Sequence, residues 1–98
     1  MTIYFDMDGT IANFYGVENW LDYLEAYDTT PYEIAKPLIH FSTLARMLNR
    51  LKQEGYTLGI ISWCSKNGTP EYNNRTAKAK RNWLAKHLPS VQFDIIHI

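Results

Sequence analysis

The chain has little that ties it to a membrane, an oxidising compartment or a metal cage. It holds one cysteine, Cys64, in 98 residues, so no internal disulfide forms and no Cys/His spacing marks a zinc site. His40, His87 and His97 are too scattered to form a ligand set. No apolar run approaches the ~20 residues a membrane helix needs. No signal peptide precedes the first apolar segment, so a cytoplasmic location is expected. Asn-x-Thr triplets at 67–69 and 74–76 carry meaning only in a secreted chain. Internal repeats and low-complexity segments are absent. The formal net charge is zero, so the chain as a whole gives no reason to expect a nucleic-acid partner.

What is there suits one small domain with a real core. Apolar residues make up 46% and aromatic residues 14%. At this length the buried fraction is modest and the margin of stability thin. The charge is unevenly placed. Residues 1–40 carry seven acids against one base, a net −6, and residues 41–98 carry nine bases against three acids, a net +6. Two oppositely charged surfaces, attracting each other or a second copy, are the plain reading.

The segments alternate in period. Residues 2–5 (TIYF) read as a buried strand. Residues 17–27 place Val17, Trp20, Leu21, Leu24 and Tyr27 at helical spacing with Glu18, Asp22 and Glu25 opposite. Pro31 and Pro37 leave room for at most a short helix between them. Residues 42–54 form the clearest helix, with Ser42 as its expected N-cap, an apolar stripe of Leu44, Met47, Leu48 and Leu51, and Gly55 to stop it. Residues 57–62 read as a second strand, 71–88 as a third long helix and 91–98 as a third strand. This order predicts an α/β layer with parallel strands and right-handed crossovers. Such layers bind ligands beyond the carboxyl ends of their strands, where Asp6 and Ser62 fall.

Residues 5–10, FDMDGT, carry the strongest chemical signal. In an extended backbone positions i and i+2 point to one side, so Asp6 and Asp8 face a common site. Two carboxylates so close repel one another, and a bound cation relieves the repulsion. Mg²⁺, which takes oxygen ligands and phosphate together, suits that role. Gly9 permits a sharp turn, and the Thr10 hydroxyl is placed to orient an acid. A carboxylate is also a nucleophile toward phosphorus, and its neighbour can move the proton.

FDMDGT resembles the first motif of the haloacid dehalogenase superfamily of phosphotransferases, and LGIIS, ending in Ser62, resembles its second. The resemblance runs in order and spacing along the whole chain. It implies a Rossmann-like parallel sheet with helices on both faces and a small helical cap over residues 14–40 within a single domain, 1–98. It implies a Mg²⁺-dependent phosphohydrolase acting on a small phosphate monoester, a nucleotide among the candidates, through an aspartyl-phosphate. Asp6 would be nucleophile and metal ligand, and Asp8 general acid/base and metal ligand. Ser62, with Gly9 and Thr10, would bind the phosphoryl group. The family's third-motif Lys or Arg and its further acidic strand are not found before Ile98. Lys66, four residues past Ser62, is the stand-in cation, and the sheet is expected to be incomplete, with an open apolar edge at residues 2–5. The rival expectation is an inactive fragment that acts as a binding or dimerisation module through that edge.

The bases of helix 71–88, namely Arg75, Lys78, Lys80, Arg81 and Lys86, read as a solvated face. A nucleic-acid role for them, as a module that binds phosphate at nucleic-acid ends, ranks last, and neither nucleic acid nor membrane is expected as a partner.

Overall fold

The structure, a computed structural model, describes residues 1–64 and 68–98. Three strands form one parallel sheet among them: β1 (Thr2–Asp6), β2 (Thr57–Ile61) and β3 (Ile95–His97), in the order β1-β2-β3. Register runs from Thr2 opposite Thr57 to Asp6 opposite Ile61, and from Gly59 opposite Ile95 to Ile61 opposite His97. The chain is therefore mixed α/β with a parallel sheet, as the alternation of periods predicts. β1 lies at an edge, as expected.

Between β1 and β2 come a 3₁₀ turn (Phe14–Gly16) and three helices, α1 (Trp20–Glu25), α2 (Thr30–Ile34) and α3 (Phe41–Gln53). The long helix α4 (Pro70–His87) joins β2 to β3. The predicted helix over 17–27 is shorter than its apolar spacing suggests, because Asn19 sits at φ 61° and only Trp20–Glu25 continue as helix. Helix α3 begins one residue before Ser42, with His40 at the N-cap position. Ser42 is bonded instead to the His40 ring, Nδ1 to Oγ at 2.8 Å. Gly55 stops α3 as expected, at φ +96°. At the start of α4 the Thr69 hydroxyl accepts from the Tyr72 amide at 3.1 Å, an N-cap with proline in the first turn behind it.

One side of the sheet carries the core. Leu58 and Ile60 are fully buried there with Leu44 and Leu48 of α3 and Trp83, Leu84 and Leu88 from α4 and its end, and Phe5 and Ile96 pack against them. The other side presents Tyr4 and Ile61, 48% and 41% exposed. The expectation of helices on both faces is thus corrected for α3 and α4. Two crossovers of the same hand that step in one direction across a sheet lie on the same side. Tyr4 lies over Gly59, where a Cβ would meet the ring at 2.6 Å. Met47 is likewise corrected: it is 54% exposed, while the remaining stripe of α3 faces inward.

Candidate functional site

β1 ends in Asp6 and runs into a tight turn. The Met7 carbonyl accepts from the amides of Thr10, Ile11 and Ala12, and the Gly9 amide donates to the Ala12 carbonyl at 2.9 Å. Gly9 makes this possible at φ +84°. Met7 is buried in the core, 1% exposed. Its flanking carboxylates therefore point the other way, and both Asp6 and Asp8 line one cavity.

That cavity has a volume of about 220 Å³ and its walls are aromatic: Phe14, Tyr15, Trp20 and Tyr32, with Leu24, Trp63 and Cys64 completing it. Most of the wall comes from the segment between β1 and α3. Phe14 stacks on Tyr32 at 4.7 Å between centroids, and Tyr15 meets Trp20 edge-on at 5.1 Å. Rings in such pairs hold one another in place. Trp63 is 77% exposed and Tyr15 57%, so both residues keep accessible surface at the cavity. Burial, more than the nearby Tyr72 and Asp8, pushes the Tyr32 phenol well above its usual value.

Beside the acids lies a side chain that the sequence reading placed in solvent. Lys80 is fully buried. Its ammonium donates to Asp8 Oδ2 at 2.9 Å, to Ser62 Oγ at 2.6 Å and to the Trp63 carbonyl at 2.7 Å. Those three bonds use all its donors, and it sits 5.0 Å from the Tyr32 ring centre. The solvated reading is therefore corrected for Lys80, while Arg75, Lys78, Arg81 and Lys86 are exposed. The signal was positional. Lys80 falls four residues after Thr76 and eight after Tyr72, on the stripe that also carries Trp83 and Leu84.

The sequence-predicted residues separate into three groups. Asp6, Asp8 and Ser62 are brought together by the ends of β1 and β2, Ser62 being 6% exposed and bonded to Lys80. Gly9 and Thr10 are exposed on the turn and do not line the cavity. Lys66 lies outside the described residues. Mg²⁺ commonly takes one or two carboxylates and completes its shell with water and phosphate oxygens. The Asp6–Asp8 pair fits part of such a shell, with one Asp8 oxygen already on Lys80. Among the described residues no cluster of three or more His, Cys, Asp or Glu side chains exists.

No protein-family model matches the chain. Two curated proteins match, each named SsrA-binding protein, from Clostridium kluyveri strains ATCC 8527 and NBRC 12016. Each is 35% identical over 57 residues, which is 58% of this chain and 36% of the relative. The chain thus spans about a third of the length of these curated relatives. No solved structure matches. These matches overturn the resemblance to the haloacid dehalogenase superfamily, and with it the phosphohydrolase reading and the rival reading of an inactive fragment of that superfamily. They also overturn the exclusion of nucleic acid as a partner. No described helix is long and apolar enough to cross a membrane.

Proposed function

We propose that the chain is an RNA-binding module that tracks a single strand along the basic side of α4 and seats an unstacked base in the aromatic cavity. The observation that carries this reading is the cavity lining, where the aromatic residues Trp63 and Tyr15 are 77% and 57% exposed and share the wall with Asp6 and Asp8. Exposed rings stack on unpaired bases without regard to sequence. Along α4, Arg75, Lys78 and Lys86 fall on one exposed helical side, spanning about 16 Å at ~1.5 Å per residue. Arg75 also donates to the Tyr27 carbonyl at 3.2 Å, just past α1, whose Trp20 and Leu24 line the cavity. The basic side therefore leads toward the rings. The choice of RNA rests on the name of the two relatives, which records binding to SsrA, an RNA. Within this reading the βαβαβ succession is a Rossmann-like layer, and residues 14–40 act as a small lid that supplies the wall. Asp6 and Asp8 would hold Mg²⁺, offsetting their repulsion of a nearby phosphate.

Fluorescence anisotropy with a labelled ten-nucleotide single-stranded RNA tests the reading. Contact with three phosphates predicts a log K against log salt slope of about −2. Trp63→Ala should weaken binding by about 1–3 kcal/mol, and Lys78→Ala should reduce the slope by about 0.7. Chelating Mg²⁺ should weaken binding if the two carboxylates hold the ion. Absence of binding at low salt, or affinity indifferent to both substitutions, would overturn the proposal.

A further inference from the structure

A second cleft lies between α4 and β3 and shares no residue with the aromatic cavity. Its volume is about 490 Å³. One helical side of α4 and its end, Arg81, Leu84, Ala85 and Leu88, forms one wall, and Phe93 and Ile96 belong to the other. Leu84 and Leu88 are buried, at 4% and 1% exposure. Arg81 is exposed and makes no ion pair among the described residues. No carboxylate lines the cleft. β3 borders it, and β3 is an end strand whose described partner is β2 alone. Its outer edge therefore offers backbone donors and acceptors directly beside an apolar trough.

We propose that this cleft binds an extended peptide segment of a partner protein, added as a strand on the outer edge of β3, with apolar side chains at alternate positions filling the trough and one carboxylate on Arg81. Each part of the site selects for part of that ligand. An edge with no strand partner among the described residues selects for extended backbone, which a helix or a lipid-like acid cannot satisfy. Ile96 of β3 faces the trough, and a strand laid beside it shares its side-chain alternation, so every second residue of the newcomer drops between Ile96 and Leu84. The lone guanidinium selects for a carboxylate, which it engages in a two-point contact. This site is independent of the RNA reading, and neither requires the other.

Because β3 is short, binding is weak and is read by NMR. The probe is acetyl-Glu-Val-Thr-Val-Thr-Val-amide, titrated into the ¹⁵N-labelled 98-residue chain, with the Gln-for-Glu peptide as comparison. The amides of Ile95, Ile96 and His97 should shift, and their hydrogen exchange should slow on saturation. The Gln peptide should bind about tenfold more weakly, and Arg81→Gln should erase that preference. Ala85→Trp, at an exposed position, should fill the trough and remove binding. Unchanged amides at 95–97 with millimolar peptide would overturn the proposal, as would shifts without slowed exchange or a preference that survives Arg81→Gln. Two further results also overturn it by assigning the cleft elsewhere. Decanoate binding there more tightly than the peptide makes the site one for small amphiphilic acids. Protection of the same amides that grows with protein concentration alone makes it a contact between copies.

Discussion

Replacing Lys80 with methionine tests the central physical claim about the site. Methionine keeps most of the apolar stem and removes the ammonium. Three bonds are lost, to Asp8 at 2.9 Å, Ser62 at 2.6 Å and the Trp63 carbonyl at 2.7 Å. Because the donor is an ammonium, all three bonds are charge-assisted, and water that re-solvates the partly exposed acceptors keeps the net loss to about 3–5 kcal/mol. That agrees with the general cost of removing one partner of a buried ion pair. The Asp8 side chain keeps 16% exposure, so water relieves part of its deficit and the lower figure is expected. For a domain of about 100 residues, ~3 kcal/mol lowers Tm by roughly 12–24 °C. Asp8→Asn keeps an acceptor for Lys80 and should cost less. The double variant should cost less than the sum of the singles by at least about 1 kcal/mol, because the second change removes a charge already unpaired. Urea denaturation at neutral pH, followed by tryptophan fluorescence for all four corners of the cycle, measures this. Lys80→Met within about 0.5 kcal/mol of the parent, the scatter of ordinary surface changes, or strict additivity, would refute the reasoning.

Other substitutions probe the frame that holds the site. Trp83 Nε1 donates to the buried Ala35 carbonyl at 2.7 Å, so Trp83→Phe should cost about 1–3 kcal/mol through an orphaned acceptor, read as a lower urea midpoint. Gly9 and Gly55 both hold positive φ, but only at Gly9 would a Cβ meet another side chain, Tyr15 Cε2 at 3.1 Å. Gly9→Ala should therefore destabilise more than Gly55→Ala in the same assay, and equal effects would remove Tyr15 from the account. Asp94 accepts from the Leu58 amide at 3.0 Å and from Lys52, which hold its carboxyl below the usual 3.8. A lowered carboxyl pKa contributes stability above the unfolded value of ~3.9 and loses it as pH falls through the folded value. The parent should thus exceed Asp94→Asn in stability at pH 7, and the gap should close below about pH 4. A gap unchanged at pH 3 would show that charge is not its source.

Much of the fold was legible because period and punctuation survive in single residues. TIYF and TLGIIS read as strands from β-branched and aromatic content, and both are strands in register from Thr2 and Thr57. Gly55 was legible as a stop because few other residues tolerate its φ. What was not legible depended on contacts distant in sequence. Ser42 has the chemistry of an N-cap but bonds to the His40 ring, and the true start lies one residue earlier. Asn19 in the left-handed region shortens α1, although the apolar spacing continues on both sides of it. The side on which α3 and α4 lie follows from strand order, and strand order is not written in any one segment.

The site divides along the same line. Asp6 and Asp8 were legible because both lie within one turn whose middle residue, Met7, is apolar and had to face the core. Lys80 was not legible, because composition treats a lysine among four other bases as one more solvated charge. Its position speaks otherwise. It shares a stripe with Tyr72, Thr76 and Trp83, and a cation on the buried side of a helix persists only where acceptors from other elements meet it. Asp8 is 72 residues away in sequence and Ser62 is 18 away, separations that local patterns do not span. The same reasoning divides the remaining bases of α4. Arg75, Lys78, Arg81 and Lys86 lie off that stripe and are exposed; Lys78, Arg81 and Lys86 make no ion pair among the described residues, while Arg75 donates to the Tyr27 carbonyl and lies over the Tyr72 ring. One helix therefore carries a buried lysine inside and a set of exposed bases outside, which the proposed RNA reading uses. If the division is right, Lys80→Met lowers stability and leaves the salt slope of RNA binding unchanged at temperatures where it stays folded. Lys78→Ala does the reverse. Similar effects of the two variants on both measurements would mean that the helix does not separate the two roles.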